Sequence, residues 1–191
     1  MKRGLNNQVK SGIFHYNFFL KNRKGQIWIE TVIYTLIIMV LIGVVLSYAN
    51  PKIESFRDKI SIERTMNFLM ALDNTMNDIQ NVPGNKRVID FTLSDGEMRI
   101  DGIENRIIFE IQSRYQYSEE GETFTENGFS INTESQGKYK KVNISKTYQY
   151  NLTYAGSDQL KTISKASTPY KISISNNGFS GNVTIMDISI N

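Results

Sequence analysis

Residues 24–51 read KGQIWIETVIYTLIIMVLIGVVLSYANP, and this stretch decides the fold. Between Ile27 and Ala49 the only charged side chain is that of Glu30. As a helix, this run of 23 residues spans roughly 35 Å at about 1.5 Å per residue, enough to cross a hydrocarbon core of about 30 Å. The sequence therefore predicts a transmembrane helix over residues 26–50.

The basic residues are unevenly distributed. Residues 1–25 form a basic leader with six Lys or Arg and no acidic residue; removing these from the 22 basic residues leaves 16 against 19 acidic ones, a net charge of −3 over residues 26–191. Nucleic-acid binding, which needs a basic patch on the folded part, is therefore not expected. No Lys or Arg lies between Lys24 and Lys52, so the leader is expected in the cytoplasm and the C-terminal part outside.

Glu30 is unusual in its position. An ionised carboxylate deep in the bilayer costs about 2.5–3.5 kcal/mol on insertion scales, and intramembrane ionisable groups are candidates for a function. The alternative is that Glu30, near the start of the apolar run, reaches the headgroups at a lower cost. The residues before it favour a functional role.

Lys24, Gly25 and Gln26, followed by an apolar run with Glu30 five residues after Gly25, resemble the class III signal peptide of archaeal type IV pilin-like proteins. The motif that carries the resemblance covers about 27–30 residues of the chain. It implies that a prepilin peptidase cuts between Gly25 and Gln26, and that Glu30 becomes the fifth mature residue. Gln26 at the first mature position, where bacterial relatives have phenylalanine, favours the archaeal form and leaves N-methylation of the new terminus open.

The resemblance also implies an assembly role for Glu30. Cleavage would expose an α-amino group on Gln26, with a pKa of about 8, and Glu30 of a neighbouring subunit could neutralise that amine in a bundle of packed helices. The implied partners are the prepilin peptidase, other pilin subunits, an assembly ATPase and a platform protein, together with the membrane.

The helix is expected to continue beyond the membrane. Pro51 closes the apolar run, and apolar side chains then recur at three- or four-residue spacing from Ile53 to Ile79, the pattern of an amphipathic helix. Val82, Pro83 and Gly84 end it. We predict an amphipathic continuation over residues 51–82, whose apolar face covers a β domain.

Residues 83–191 are predicted to form an exported β-rich domain. Residues 88–93 and 97–100 are expected to form a hairpin across Asp95 and Gly96. Residues 105–117 and 142–154 read as strand regions, and residues 170–175 and 183–190 as a terminal hairpin across residues 176–178. Residues 123–137 are predicted to be loop-rich. The predicted fold class is α+β, with the long N-terminal helix packed on an antiparallel β domain.

Catalytic chemistry is not expected. The sequence has no cysteine and one histidine, His15, in the leader, so the common nucleophilic triads and zinc sites cannot form in the mature chain. Glu119, Glu120 and Glu122 cluster in a charged turn and read as a solvated loop. We predict no cofactor, no metal site and no enzymatic activity.

Three Asn-x-Ser/Thr sequons make Asn143, Asn151 and Asn182 candidate N-glycosylation sites, in a number close to that expected by chance. Seven tyrosines between Tyr115 and Tyr170 are expected to pack in the sheet, with an adhesive face as the alternative.

The resemblance, together with these observations, implies an exported, membrane-inserted subunit of an archaeal type IV pilus-like filament. One alternative is an uncleaved single-pass protein that displays a binding or adhesive β domain at the cell surface. A weaker alternative is a membrane-tethered hydrolase that uses carboxylates.

Overall fold

The computed structural model describes residues 23–190, with side chains from Ile27 onward. One long helix, α1 (Arg23–Ile79), precedes the strands of a β domain. The predicted α+β fold class is therefore confirmed. The chain divides into two compact units, of which the first ends at Ser47 and the second begins at Tyr48. The predicted leader, residues 1–25, lies largely outside the described residues.

Helix α1 continues through Pro51. Proline lacks the N–H that would bond to the carbonyl four residues earlier, that of Ser47. No acidic residue lies in the first turn of α1 and no basic residue in its last turn. The helix end therefore depends on contacts with the β domain.

The strands within the described residues are β1 (Lys86–Phe91), β2 (Glu97–Asp101), β3 (Arg106–Ser113), β4 (Thr123–Glu126), β5 (Phe129–Gln136), β6 (Tyr139–Thr147), β7 (Asn151–Tyr154), β8 (Leu160–Ser164), β9 (Tyr170–Ser180) and β10 (Val183–Ile190). They form a four-stranded sheet, ordered β1-β9-β10-β7, and a six-stranded sheet, ordered β4-β5-β6-β3-β2-β8. Strands β7 and β10 pair in parallel, and the other pairs are antiparallel.

The core lies between the second half of α1 and the two sheets. The helix contributes a buried apolar face to a core cluster that also contains residues of both sheets (Ile62, Met66, Leu69, Leu72, Met76 and Ile79). The predicted covering role of the amphipathic helix is thus confirmed from Ile62 onward. Ile53 and Phe56, which were assigned to the same face, are 49% and 63% exposed.

The predicted hairpin between residues 88–93 and 97–100 is wrong. Strand β1 pairs with β9, whereas β2 pairs with β3 and β8 in the other sheet. Gly96 does adopt the expected positive φ, 79°, and a Cβ there would lie 2.5 Å from the carbonyl oxygen of Glu110. A side chain at position 96 would therefore clash with β3, so this turn requires glycine. The partners of β1 and β2, however, are strands that lie far from the turn in the sequence.

The prediction of a loop-rich segment over residues 123–137 is also wrong. Strands β4 and β5 form a hairpin across Asn127 and Gly128, whose φ angles are 52° and 81°. Phe129, Ile131 and Thr133 alternate into the core. These inward side chains, rather than the overall polarity of the segment, determine its structure.

The C-terminal part of the domain differs in detail from the prediction. Residues 142–154 belong to two strands, β6 and β7, which lie in different sheets. The terminal hairpin of β9 and β10 is confirmed, but Asn176 and Gly178 lie inside β9, and the turn falls at Gly181 and Asn182. Strand β8 was not predicted.

Candidate functional site

The first part of α1 presents an apolar surface on every side. From Ile27 to Leu46 each large apolar side chain is between 45% and 70% exposed. An 18-residue window of this helix has a mean hydropathy of 2.6, and no part of it is buried. In water such a surface is unfavourable, so it requires lipid or other apolar helices around it. The helix is long and apolar enough to cross a membrane, which suggests membrane insertion.

The threonines of this segment are compatible with an apolar environment. The Thr31 hydroxyl donates to the carbonyl of Ile27 at 2.9 Å, and the Thr35 hydroxyl donates to the carbonyl of Thr31 at 2.8 Å. Both hydroxyl protons are therefore used within the helix. Entry into a bilayer or a helix bundle leaves neither donor unsatisfied.

Glu30 lies directly before Thr31 on this helix and is exposed. Its carboxyl group is thus placed at the N-terminal part of the apolar surface, where a neighbouring molecule can approach it. The backbone of Gly25 and Gln26 is helical, because α1 begins at Arg23. The bond between them therefore lies in the first turn, whose N–H groups have no acceptor within the helix.

The three sequons lie in different environments. Asn143 is in β6, paired with Glu110 of β3 on one side and with Asn132 of β5 on the other. Asn151 begins β7, and its side-chain amide donates to Asp158 at 3.4 Å. Asn182 is exposed in the turn between β9 and β10, where an enzyme can approach it most directly.

Most of the tyrosines pack, as predicted. Tyr148 and Tyr150 are buried in the core, and four others lie partly buried against it (Tyr115, Tyr117, Tyr154 and Tyr170). Tyr139 is 41% exposed. The packing role is therefore confirmed for six of the seven.

Several acidic side chains of the β domain are engaged in ion pairs. Glu120 pairs with Lys140, and Glu110 contacts both Arg99, at 2.5 Å, and Lys141, at 2.9 Å. Glu110 also lines a cleft of about 410 Å³ with Asp95 and Glu97. Among residues 23–190, no group of three or more His, Cys, Asp or Glu side chains is arranged to hold a metal ion.

One polar cluster was not predicted, because its members are far apart in the sequence. Asp73 of α1 lies 2.7 Å from the ammonium group of Lys146 in β6, which also lies over the ring of Tyr148. Burial and the nearby carboxylate of Asp73 raise the pKa of Tyr148, and burial together with Tyr148 raises that of Tyr150. The sequence indicates this cluster only weakly, through an acidic residue, Asp73, on the apolar face of an amphipathic helix.

Comparison with protein-family models gives no match for this chain, and neither do comparisons with curated proteins and with solved structures.

Proposed function

We propose that this protein is a structural subunit of an archaeal type IV pilus-like surface filament. The observation that carries the proposal is the apolar surface from Ile27 to Leu46, which is exposed on all sides and follows directly on the Gly25-Gln26 step. A helix of this kind can pass from lipid into a bundle of identical helices, since both environments are apolar. The β domain would form the outer coat.

Processing and assembly follow from this proposal. A prepilin peptidase removes residues 1–25, and the new α-amino group of Gln26 pairs with Glu30 of a neighbouring subunit. Before assembly the protein is a single-pass membrane protein with its N-terminus in the cytoplasm and its C-terminal domain outside. An assembly ATPase and a platform protein move it into a cell-surface filament.

A second candidate is an uncleaved single-pass protein that displays a binding or adhesive β domain. It is favoured by the backbone at residues 23–26, which is continuous with the helix. In this alternative the Gly25-Gln26 bond stays intact and the apolar surface contacts only lipid.

The mature N-terminus distinguishes the two candidates. The full chain is expressed in archaeal cells that possess the peptidase, extracted from membranes, and analysed by N-terminal sequencing and intact mass. We expect the chain to begin at Gln26. Gly25→Phe should block cleavage, whereas Asn22→Phe, three residues earlier, should allow it. An intact leader in the wild-type chain contradicts the filament proposal.

Glu30→Ala tests assembly separately from processing. We expect normal cleavage and poor recovery of filaments sheared from cells, because the amine of a neighbour loses its buried counter-charge. Thr35→Ala, one to two turns further along the helix, is the matched control and should assemble normally. Filament yield at the wild-type level in Glu30→Ala contradicts the pairing role.

A further inference from the structure

The hairpin of β9 and β10 ends in a tight turn that carries one of the three sequons. Ser180 pairs with Val183, so the loop between the strands consists of Gly181 and Asn182. The φ angle of Gly181 is 61°, and a glycine with positive φ at the first central position is typical of a type II′ hairpin turn. This turn holds Asn182 at the exposed end of the hairpin.

An aromatic ring lies beside this sequon. Phe179, the residue before Ser180, pairs directly with Thr184, the third residue of the sequon. Directly paired residues carry their side chains on the same face of a hairpin. Asn182 is two residues before Thr184, so the alternation of a strand directs its side chain toward that face as well. The ring and the two sequon residues therefore share one surface.

The ring of Phe179 is not used in the core of the domain. Phe179 is 57% exposed, and among the described side chains it belongs neither to the core cluster nor to the residues packed against it. Single exposed apolar residues are common on protein surfaces. What distinguishes Phe179 is its position opposite Thr184, where a sugar attached to Asn182 can cover the ring.

The sequon at Asn143 offers no such surface. Asn143 lies within β6, between Glu110 of β3 and Asn132 of β5. Both of these cross-strand partners are polar. Among the described side chains, the Oδ1 atom of Asn143 is one of the few buried polar atoms without a hydrogen-bond partner. A glycan on Asn143 would therefore lie on a polar sheet surface, with no aromatic ring to pack on.

The sequon at Asn151 has an aromatic residue at the matching position, but its ring is not available. Tyr148 precedes Asn151 by three residues, as Phe179 precedes Asn182. Tyr148 is only 8% exposed and belongs to the core cluster. Of the three sequons, only the one in the β9–β10 turn thus combines an exposed asparagine with an exposed ring.

We propose that Asn182 carries an N-linked glycan and that the ring of Phe179 is the platform on which its first sugar packs. The apolar C–H face of a pyranose ring and the Phe179 ring leave water together, which stabilises the glycosylated hairpin. The inference needs the C-terminal domain to be outside the cell, as both candidate functions have it. It does not depend on filament assembly.

The attachment step is a group transfer from a lipid-linked oligosaccharide, whose first sugar is joined through its anomeric carbon to a polyprenyl phosphate. An oligosaccharyltransferase forms the bond between this carbon and the side-chain nitrogen of Asn182. The bond from the carbon to the phosphate oxygen breaks, and the phosphate leaves with the bonding electrons. The nitrogen loses one proton to a base of the transferase, so the step needs no oxidant or reductant.

Site occupancy tests the first part of the proposal. The full chain is expressed in archaeal cells that N-glycosylate their surface proteins, and its peptides are analysed by mass spectrometry. We expect the glycan on Asn182, at a higher occupancy than on Asn143 or Asn151. A wild-type chain whose Asn182 is unmodified overturns the inference, and so does a glycan that is confined to the other two sequons.

Substitutions of the ring test the second part. Phe179→Ala should lower the occupancy of Asn182 about threefold or more, because a stacking contact of the usual strength is lost. Phe179→Tyr keeps a ring and should keep the occupancy. Val183→Ala is the matched control: Val183 is 41% exposed in the same hairpin, and its side chain points to the opposite face. Equal occupancy in Phe179→Ala and Val183→Ala overturns the role of the ring.

A double-mutant cycle measures the contact itself, independently of how efficiently the transferase works. Asn182→Gln removes the glycan, and urea unfolding is measured for the detergent-solubilised full chain. We expect Asn182→Gln to lower the urea midpoint of the wild-type glycoprotein, and to have little effect when Phe179→Ala is already present. Additive effects of the two substitutions show that sugar and ring do not interact, which overturns the inference. N-terminal sequencing of the same preparations reports leader cleavage separately, so this outcome leaves the filament proposal intact.

Discussion

The side-chain amide of Asn176 donates a hydrogen bond of 2.8 Å to the carbonyl oxygen of Ile79, the last residue of α1. The same amide group donates to the carbonyl of Gln80 at 2.8 Å, and its oxygen accepts from the N–H of Gly178 at 2.9 Å. Asn176 is fully buried. One side chain of β9 therefore satisfies carbonyls at the helix end that have no intrahelical donor.

Asn176→Ala should destabilise the β domain by about 1–3 kcal/mol, because the carbonyl of Gln80 loses its side-chain donor and the carbonyl of Ile79 keeps only the N–H of Val82, at 3.0 Å. Asn177→Ala is the matched control: Asn177 is the exposed neighbour, and its loss should cost at most about 0.5 kcal/mol. The measurement is urea unfolding of the detergent-solubilised full chain, followed by the near-ultraviolet circular dichroism of the tyrosines. A free energy of unfolding within about 0.5 kcal/mol of wild type in Asn176→Ala contradicts the capping role.

The long helix and its two halves were predictable because their signals are local. The apolar run from Ile27 is long enough for a membrane, and the later spacing of Met66, Leu69 and Met76 matches one helix face. Both patterns depend on neighbours within four residues. They are therefore visible without knowledge of the tertiary structure.

Strand partners were less predictable because they depend on contacts between distant residues. Asp95 and Gly96 indicate a turn, and the turn exists, yet the strands on its two sides enter different sheets. The capping of Ile79 by Asn176 joins residues 97 positions apart. Neither relationship leaves a periodic signal in the sequence.

The β4–β5 hairpin was missed although its signals are local. Asn127 and Gly128 form the preferred dipeptide for a tight hairpin turn, and Phe129, Ile131 and Thr133 alternate after it. This alternation was not recognised, because residues 123–137 are polar overall. When one side of a strand faces solvent, the alternation of apolar and polar residues predicts the strand better than the overall composition of the segment does.

Within the candidate site, the sequence identified Gly25, Gln26 and Glu30 through a resemblance, and their roles stay predictions. The exposure of Ile53 and Phe56 was not predicted, because both residues fit the same apolar periodicity as the core positions. Only their exposure in the folded chain separates the two faces.

The ion pair between Asp73 and Lys146 joins α1 to the six-stranded sheet and gives a second prediction. Asp73 is 8% exposed, and its carboxylate lies 2.7 Å from the lysine ammonium. Lys146→Met should destabilise the domain by about 3–5 kcal/mol, since it leaves a buried charge without its partner. Urea unfolding of the detergent-solubilised chain gives the comparison.

Two further variants make that measurement specific. Lys165→Met removes a lysine of the same size that is 69% exposed and 3.9 Å from Asp95, and it should cost at most about 0.5 kcal/mol. The double variant Asp73→Leu with Lys146→Met should be more stable than Lys146→Met alone, because no unpaired charge stays buried. A double variant that is no more stable than Lys146→Met alone contradicts coupling between the two side chains.

The buried tyrosines predict a loss of stability in alkali. Burial and the nearby Asp73 raise the pKa of Tyr148 above its ordinary value of 10.0, burial and Tyr148 raise that of Tyr150, and burial and Glu126 raise that of Tyr117 to about 12. Above about pH 10 the unfolded chain loses these protons while the folded chain keeps them. The unfolded chain then binds fewer protons, so the free energy of unfolding falls as pH rises.

The stabilisation is therefore complete below about pH 10 and decreases above it, with a slope of up to about 1.4 kcal/mol per pH unit for each retained proton. Tyr148→Phe should reduce this slope in urea unfolding measured at a series of alkaline pH values. Tyr139→Phe, which changes a tyrosine that is 41% exposed, should leave the slope close to that of wild type. Equal slopes in wild type and Tyr148→Phe would show that the folded chain releases the Tyr148 proton as readily as the unfolded chain does.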